Sequence, residues 1–222
     1  MYLVDVLERL ESGSSKKGVL SETTDVCSSI YENMDVADTL WVFTPHILSE
    51  EFGPITPMSL CDSIQADTDL LLRNLITVYR HIGYDSLLRG SFEEILLLVK
   101  DKENYYFDKD SIRVEPVYQG NEWNGNRENG RSSYRDKVTK RYNSEGKDPG
   151  NVWMEEIRTE TSNKVLDRTI PISRKEAIKR CVRAGSKRGD VITVIWPSDE
   201  AEDIIESEDR IANLKQNMND DD

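Results

Sequence analysis

Three observations in the sequence predict an α/β protein that is built on a mixed, partly parallel β-sheet. Residues 190–196 and residues 92–99 are short apolar runs, which are typical of buried strands. Residues 173–184 repeat apolar side chains at helical spacing, directly ahead of the first of these runs. Because helices that alternate with buried strands cover such a sheet, we expect helices on both of its faces.

Local signals set the bounds of the predicted elements. Ser173 is predicted to cap the helix over 173–184, with Glu176 three residues on. The inner face of this helix consists of Ala177, Ile178, Cys181 and Val182. Helices are also predicted over 22–35 and 59–66, and a buried strand or strand pair over 70–80.

The carboxyl-terminal region is predicted to be helical. Ser198 caps a helix over 199–218, and residues 219–222 form a disordered acidic tail. Four apolar side chains face inward in that helix: Ile204, Ile205, Ile211 and Ala212.

Composition narrows the class of protein. At 222 residues the chain fits a single domain, 1–222, large enough to bury about 70% of its unfolded surface. It has no run of the ~20 apolar residues of a membrane span and no signal sequence, so we expect a cytoplasmic protein without membrane contact. Three distant cysteines argue against a disulfide framework, and only two histidines, His46 and His81, argue against a metal site.

Charge is segregated along the chain. The net charge is −13, but it divides into −11 over residues 1–112, +7 over residues 113–188 and −9 over residues 189–222. Phosphate binding depends on the local field, so the basic middle region is compatible with a nucleic-acid partner despite the acidic total.

Several short blocks in a fixed order carry a family resemblance. They are DTLWVF at 38–43, SFEEILLLVK at 91–100, YYFD at 105–108, SIR at 111–113, GKDPGNVW at 146–153, RKEAI at 174–178 and GDV at 189–191. In this order the chain resembles the DNA amino-methyltransferases, S-adenosylmethionine-dependent enzymes that modify N4 of cytosine or N6 of adenine. The resemblance spans residues 37–194 and implies a truncated Rossmann-like methyltransferase sheet. It places Glu93 and Glu94 at the acidic position of a strand, where we expect solvated carboxylates.

The family's catalytic loop has no clear counterpart. That loop holds an acidic or polar residue, two prolines and an aromatic, whose oxygens accept from the exocyclic amine of a flipped base. This chain has no Pro-Pro pair. The family order implies that the loop falls within residues 5–17, where ERLESG at 8–13 does not match. The nearest imitation, and the alternative catalytic candidate, is Thr44, Pro45 and His46.

The family's glycine-rich cofactor turn is also missing. After the strand over 190–196 the chain continues with Pro197, Ser198 and three acidic residues instead of glycines. A side chain prevents close backbone approach, Pro197 removes an amide donor, and the carboxylates would repel the methionine end of the cofactor. About 30 residues follow Asp190, too few for the two strands and helix that complete the ribose side of the pocket in active members. We therefore expect no bound cofactor.

A basic insert at residues 114–148 lies where the family recognises its DNA target. Its core is rich in Asn, Gly, Ser and Arg, which is typical of a loop. The candidate phosphate-binding residues are Arg127, Arg131, Arg135, Lys140 and Arg141, and the candidate stacking residues are Trp123 and Tyr134. A solvated insert whose charges balance the acidic flanks is the alternative.

A second basic surface is predicted on the helix over 173–184. Lys175, Lys179 and Arg183 recur every four residues and therefore share a face. An ordinary solvated helix face is the favoured interpretation of this pattern.

These observations favour a catalytically degenerate relative of the DNA amino-methyltransferases that contacts DNA or pairs with a protein partner. One alternative is a divergent but active DNA methyltransferase that uses S-adenosylmethionine, with Thr44, Pro45 and His46 in its catalytic loop. Another is a structural or interaction protein without nucleic-acid contact.

Overall fold

Seven strands form one mixed sheet in the order β5-β3-β4-β2-β1-β8-β9, and β6 and β7 form a separate two-stranded ribbon. The computed structural model describes residues 1–11, 16–44, 56–79, 92–115, 145–161 and 164–218. The strands are β1 Tyr2–Asp5, β2 Thr39–Thr44, β3 Leu71–Tyr79, β4 Phe92–Val99, β5 Val152–Trp153, β6 Glu155–Thr161, β7 Lys164–Ile170, β8 Val191–Ile195 and β9 Ile211–Lys215.

Five α-helices and a short 3₁₀ helix at Asp110–Ile112 accompany the strands in the described residues. The α-helices are α1 Val6–Glu11, α2 Lys16–Asn33, α3 Pro57–Asp67, α4 Arg174–Gly185 and α5 Ala201–Glu206. No helix in the described ranges has the length and apolar character needed to cross a membrane.

Strand β1 lies in the interior of the sheet, between β2 and β8. It pairs in parallel with β2 on one side and with β8 on the other, and β8 continues in parallel to β9. On the far side, β4 runs antiparallel between β2 and β3. The sheet is therefore mixed, with four parallel strands in its central and carboxyl-terminal part.

The sheet is covered on both faces, because successive side chains of a strand point to opposite sides. In β2, Trp41 and Phe43 join the core cluster that contains α4 and α5, whereas Leu40 and Val42 join the cluster that contains α2 and α3. All four of these strand side chains are fully buried. The predicted α/β class, with helices on both faces of a mixed sheet, is confirmed.

The elements with strong local patterns lie where the sequence predicts them. Strand β4 has the predicted bounds, and α4 begins after Ser173, whose hydroxyl accepts from the Glu176 amide at 3.1 Å. The four predicted inner residues of α4 are all buried. Each match rests on a run long enough for its period to be distinctive.

The predicted carboxyl-terminal helix is wrong. Residues 201–206 form the short helix α5, but Asp209 turns the chain at φ +58° and Ile211 starts strand β9. Ile204 and Ile205 are buried as predicted, whereas Ile211 is 56% exposed. The spacing of these apolar residues also suits a helix, but pairing along the whole of β8 decides in favour of a strand.

Candidate functional site

The carboxyl ends of β1 and β8 form a topological switch point. From β1 the chain crosses through α1 and α2 to β2, and from β8 it crosses through α5 to β9 on the other side. In open α/β sheets, ligands bind in the crevice where such connections diverge. Val4 pairs with Ile195, so the next residues along the two strands, Asp5 and Trp196, lie at this point.

Asp5 accepts hydrogen bonds from both the first helix and an arginine of α4. It is 2% exposed, and its Oδ1 accepts from the Glu8 amide at 3.1 Å, which caps α1. The same oxygen accepts from Nη2 of Arg174, the first residue of α4. Nη1 of Arg174 lies 3.9 Å from a carboxylate oxygen of Glu8. Oδ1 of Asp5 is thus engaged by the protein itself.

Three carboxylates surround the guanidinium of Arg174. Burial opposes its charge, but Asp5, Glu93 and Glu8 outweigh that effect and raise the pKa of Arg174 above its ordinary value. Glu93 is 1% exposed, so the prediction of a solvated carboxylate at this position is wrong. It lies at the start of β4, whose antiparallel direction brings that end to the carboxyl edge of β2.

Trp196 directly follows β8 and has a backbone conformation that favours glycine. Its φ is +55°, a left-handed value that is rare for a bulky residue. The side chain is nevertheless 2% exposed and belongs to the core cluster of α2 and α3. The Arg9 guanidinium lies over its ring, and Nε of Arg9 donates to Glu22 at 2.9 Å.

Backbone groups at both strand ends are used within the fold. The Trp196 amide donates to the Lys215 carbonyl at 3.0 Å, and Pro197 has no amide hydrogen. On the other strand, α1 starts directly after Asp5, so the first carbonyls of the helix accept helical hydrogen bonds. The described residues at this point therefore do not fit a cofactor that needs a bare glycine turn.

The alternative catalytic candidate is only partly described. Thr44 ends β2 with its side chain buried, and its hydroxyl donates to the Glu94 carbonyl at 2.8 Å. Pro45 and His46 lie outside the described residues. The role of this trio remains a prediction.

The predicted nucleic-acid residues also lie outside the described part of the chain, since residues 116–144 are not described. The two ends of the insert are described. Val114 and Lys147 pair through two backbone hydrogen bonds of 3.0 and 2.8 Å. A Cβ on the intervening Gly146 would lie 2.7 Å from the Val114 carbonyl oxygen, which explains a glycine at this close approach.

The basic face of α4 serves packing in the fold. Arg183 makes two hydrogen bonds to Glu208, of 2.7 and 2.8 Å, and Lys179 lies 3.2 Å from the same carboxylate. Lys175 is exposed. Two of the three lysine and arginine residues on this predicted surface are therefore engaged with the segment between α5 and β9.

Sequence reasoning identified the unusual corner after β8 but missed the groups that surround it. Arg9, Asp5 and Arg174 belong to segments whose contacts are set by tertiary structure, and Asp5 and Arg174 lie 169 positions apart. The one available signal was that the family order places the catalytic loop within residues 5–17. In the described residues, no group of three or more His, Cys, Asp or Glu side chains is arranged to hold a metal ion.

The chain is similar to known proteins both in sequence profile and in structure. The sequence profile of a family described as DNA methylase matches residues 7–193. TTHA0409 of Thermus thermophilus, assigned as a DNA modification methylase, is similar in structure with a TM-score of 0.50 and 14% identity, over 96% of this chain and 79% of the other. The complex of M1.HpyAVI with S-adenosylmethionine gives a TM-score of 0.48 and 10% identity, over 96% and 79% of the two chains. No curated protein matches the sequence.

The matched segment runs from α1 to the middle of β8, so it includes both the helix that Asp5 caps and most of the strand that leads to Trp196. It covers well over half of the 222 residues. The chain belongs to the DNA methylase family.

Proposed function

We propose that this chain is a DNA methylase family member that has lost methyl transfer and contacts DNA through its basic insert, residues 114–148. In this proposal the methyltransferase sheet acts as a scaffold. The insert supplies the nucleic-acid contact, alone or together with a protein partner.

The main observation in support of lost methyl transfer is the backbone conformation and burial of Trp196. The family turn needs glycine because the cofactor approaches the backbone closely and because φ is positive. Trp196 keeps a positive φ but adds an indole, which is buried beneath Arg9. Pro197 then removes the next amide donor. These features support the proposal that protein side chains fill this corner. They leave no space for S-adenosylmethionine.

The end of β1 supports the same proposal. Catalysis in the family requires side-chain and carbonyl oxygens that accept from the exocyclic amine of the target base. Here Oδ1 of Asp5 accepts from Arg174 and Glu8, and the first carbonyls of helix α1 accept helical hydrogen bonds. A base amine would have to displace a buried ion pair to reach this oxygen, which is costly.

Charge and position support DNA contact by the insert. Residues 113–188 carry a net charge of +7, and the insert between β4 and α4 holds seven of their eighteen Lys and Arg residues. Val114 and Lys147 pair through the backbone and hold its two ends together on the scaffold. Guanidinium and ammonium groups neutralise phosphates, and aromatic side chains stack on unpaired bases.

The test is DNA binding by fluorescence anisotropy at several salt concentrations. Alanine at Arg131, Arg135 and Arg141 should weaken binding to a labelled duplex and lower the slope of log affinity against log salt by about three. The control carries alanine at three exposed basic residues outside the insert, Arg73, Lys102 and Arg188. Equal effects of the two triple variants would contradict a specific role of the insert.

A divergent, active methyltransferase is the second candidate. It is favoured by the position of Asp5, because the family order places the catalytic loop within residues 5–17 and Asp5 lies at the switch point beside β8. It predicts methyl transfer from labelled S-adenosylmethionine to duplex DNA, lost in D5A or in P45A. The proposed degenerate protein transfers no label in the same assay.

A further inference from the structure

A cavity of about 610 Å³ lies at the root of the basic insert, away from the switch point. Its wall includes Val114 and Lys147, the two residues that close the insert, and Arg180 from α4. The cavity is therefore bounded by helix α4 and by the two backbone segments that meet at the Val114–Lys147 bridge.

Arg180 is an unusual residue in the wall of such a cavity. It is 4% exposed, although arginine is rarely buried without full pairing. Its Nε donates to Glu176 at 3.0 Å, and its guanidinium lies 5.9 Å from the centroid of the Trp153 ring. Its Nη1 is buried and has no hydrogen-bond partner in the described part of the protein.

An unsatisfied, charged N–H is costly to bury, so it points to an acceptor that arrives from outside the described fold. Glu176 and Trp153 hold the guanidinium in place in advance, which reduces the entropy lost when an acceptor binds. An anion with several oxygens suits a guanidinium of this kind, because its N–H groups form a planar fork.

The acidic residues of the cavity oppose this anion only weakly. Glu115 and Glu155 contribute to the wall, but both are exposed, so solvent screens their charges. Arg180 is buried, where a charge interaction is stronger than at the surface. Lys147 in the wall is exposed as well. Arg180 is the buried charged residue of the wall, and its ion pair with Glu176 leaves Nη1 without a partner among the described residues.

We propose that this cavity binds a phosphate group and that Arg180 is its principal ligand. The inference rests on the proposed function for the source of that group, which is a backbone phosphate of DNA held by the insert. Free phosphate has the same chemistry, and the two sources are separated by the arms of the experiment.

The first arm measures DNA affinity of the full chain. R180Q should weaken binding to a labelled duplex roughly tenfold and lower the salt slope by about one, as expected for one lost phosphate contact. R180K keeps the charge and should recover part of the affinity. K102Q, an exposed lysine outside the cavity, is the matched control and should bind as the unmodified chain does.

The second arm measures the rise in melting temperature in inorganic phosphate relative to chloride at equal ionic strength. A ligand that binds only the folded state raises the melting temperature. The rise should be larger for the unmodified chain and K102Q than for R180Q. Because each variant is compared with itself in chloride, a general loss of stability in R180Q does not mimic this result.

The outcomes separate the two proposals. Effects of R180Q in both arms support a DNA phosphate, and an effect in the phosphate arm alone supports free phosphate. If R180Q behaves as K102Q does in both arms, the cavity is not a phosphate site. If the unmodified chain binds no DNA, the proposed function fails, and the phosphate arm alone decides the inference about Arg180.

Discussion

The guanidinium carbon of Arg9 lies 5.7 Å from the ring centroid of Trp196. This contact joins α1, which follows β1, to the corner that follows β8. The Arg9 cation and the Trp196 ring therefore fill the switch point, where ligands bind in related folds.

Trp196 provides the first prediction. W196A should destabilise the protein by about 3–5 kcal/mol, since it removes a buried indole. W196G should be more stable than W196A by about 1 kcal/mol, because only glycine accepts φ +55° without strain. Urea denaturation measures both differences.

Trp153 is the matched control for this pair of variants. It is equally buried but lies in strand β5 and has no positive φ. There the order should reverse, with W153A more stable than W153G. If W196A proves as stable as W196G, the backbone at the corner is not strained by a side chain.

Arg174 provides the second prediction. R174M should cost about 3 kcal/mol of stability, because it leaves the buried carboxylate of Asp5 without its cation. In the double variant D5N/R174M the loss should be smaller than the sum of the single losses, since the two residues interact directly.

R188M is the control for an exposed ion pair. Arg188 and Asp209 are 82% and 68% exposed at 3.6 Å, so this variant should change stability by less than about 0.5 kcal/mol. Additive losses at Asp5 and Arg174 would show that the pair contributes nothing as a pair.

Glu208 provides a prediction about pH. Burial raises its pKa, but hydrogen bonds from Arg183 and Lys179 outweigh this and lower the pKa below its ordinary value of 4.5. A lowered pKa stabilises the fold above the unfolded value, and this contribution is lost as pH falls through the folded value. At pH 7, E208Q should therefore be less stable than the unmodified chain by about 1–2 kcal/mol.

Thermal unfolding from pH 7 to pH 3 measures the effect. The gap between E208Q and the unmodified chain should narrow below about pH 4.5. E206Q changes an exposed glutamate of the same segment and should follow the unmodified chain throughout. A gap that stays constant with pH would rule out the proposed role of the Glu208 charge.

The cysteines provide a prediction about reactivity. Cys27, Cys61 and Cys181 are free and buried, and burial raises the pKa of Cys27 to about 12. Burial also raises the pKa of Cys181 well above its usual range. Because the thiolate is the reactive form, Ellman's reagent should label none of the three in the folded protein and all three in urea. Rapid labelling of the folded chain would contradict this description of the core.

The elements with long local patterns could be predicted from the sequence. The elements that form by pairing between distant segments could not. Strand β4 and helix α4 carry distinctive periods and lie where predicted. Strand β1 has four residues, and its position follows from partners 38 and 191 positions away, which no local pattern encodes. Strand β9 shares its apolar spacing with a helix and becomes a strand by pairing with β8.

The same distinction applies to the site. The corner after β8 could be identified from Pro197 and the missing glycines, because proline and glycine each determine the local backbone conformation by themselves. The partners that fill it, Arg9 and the pair of Asp5 and Arg174, could not, because each contact joins segments that meet only in the folded sheet.

Calorimetric titration of the unmodified chain with S-adenosylmethionine measures whether the corner after β8 binds the cofactor. We expect no binding heat at millimolar cofactor, because Trp196, Pro197 and the Arg9 guanidinium occupy the corner that the cofactor would need. A dissociation constant in the micromolar range would contradict this expectation.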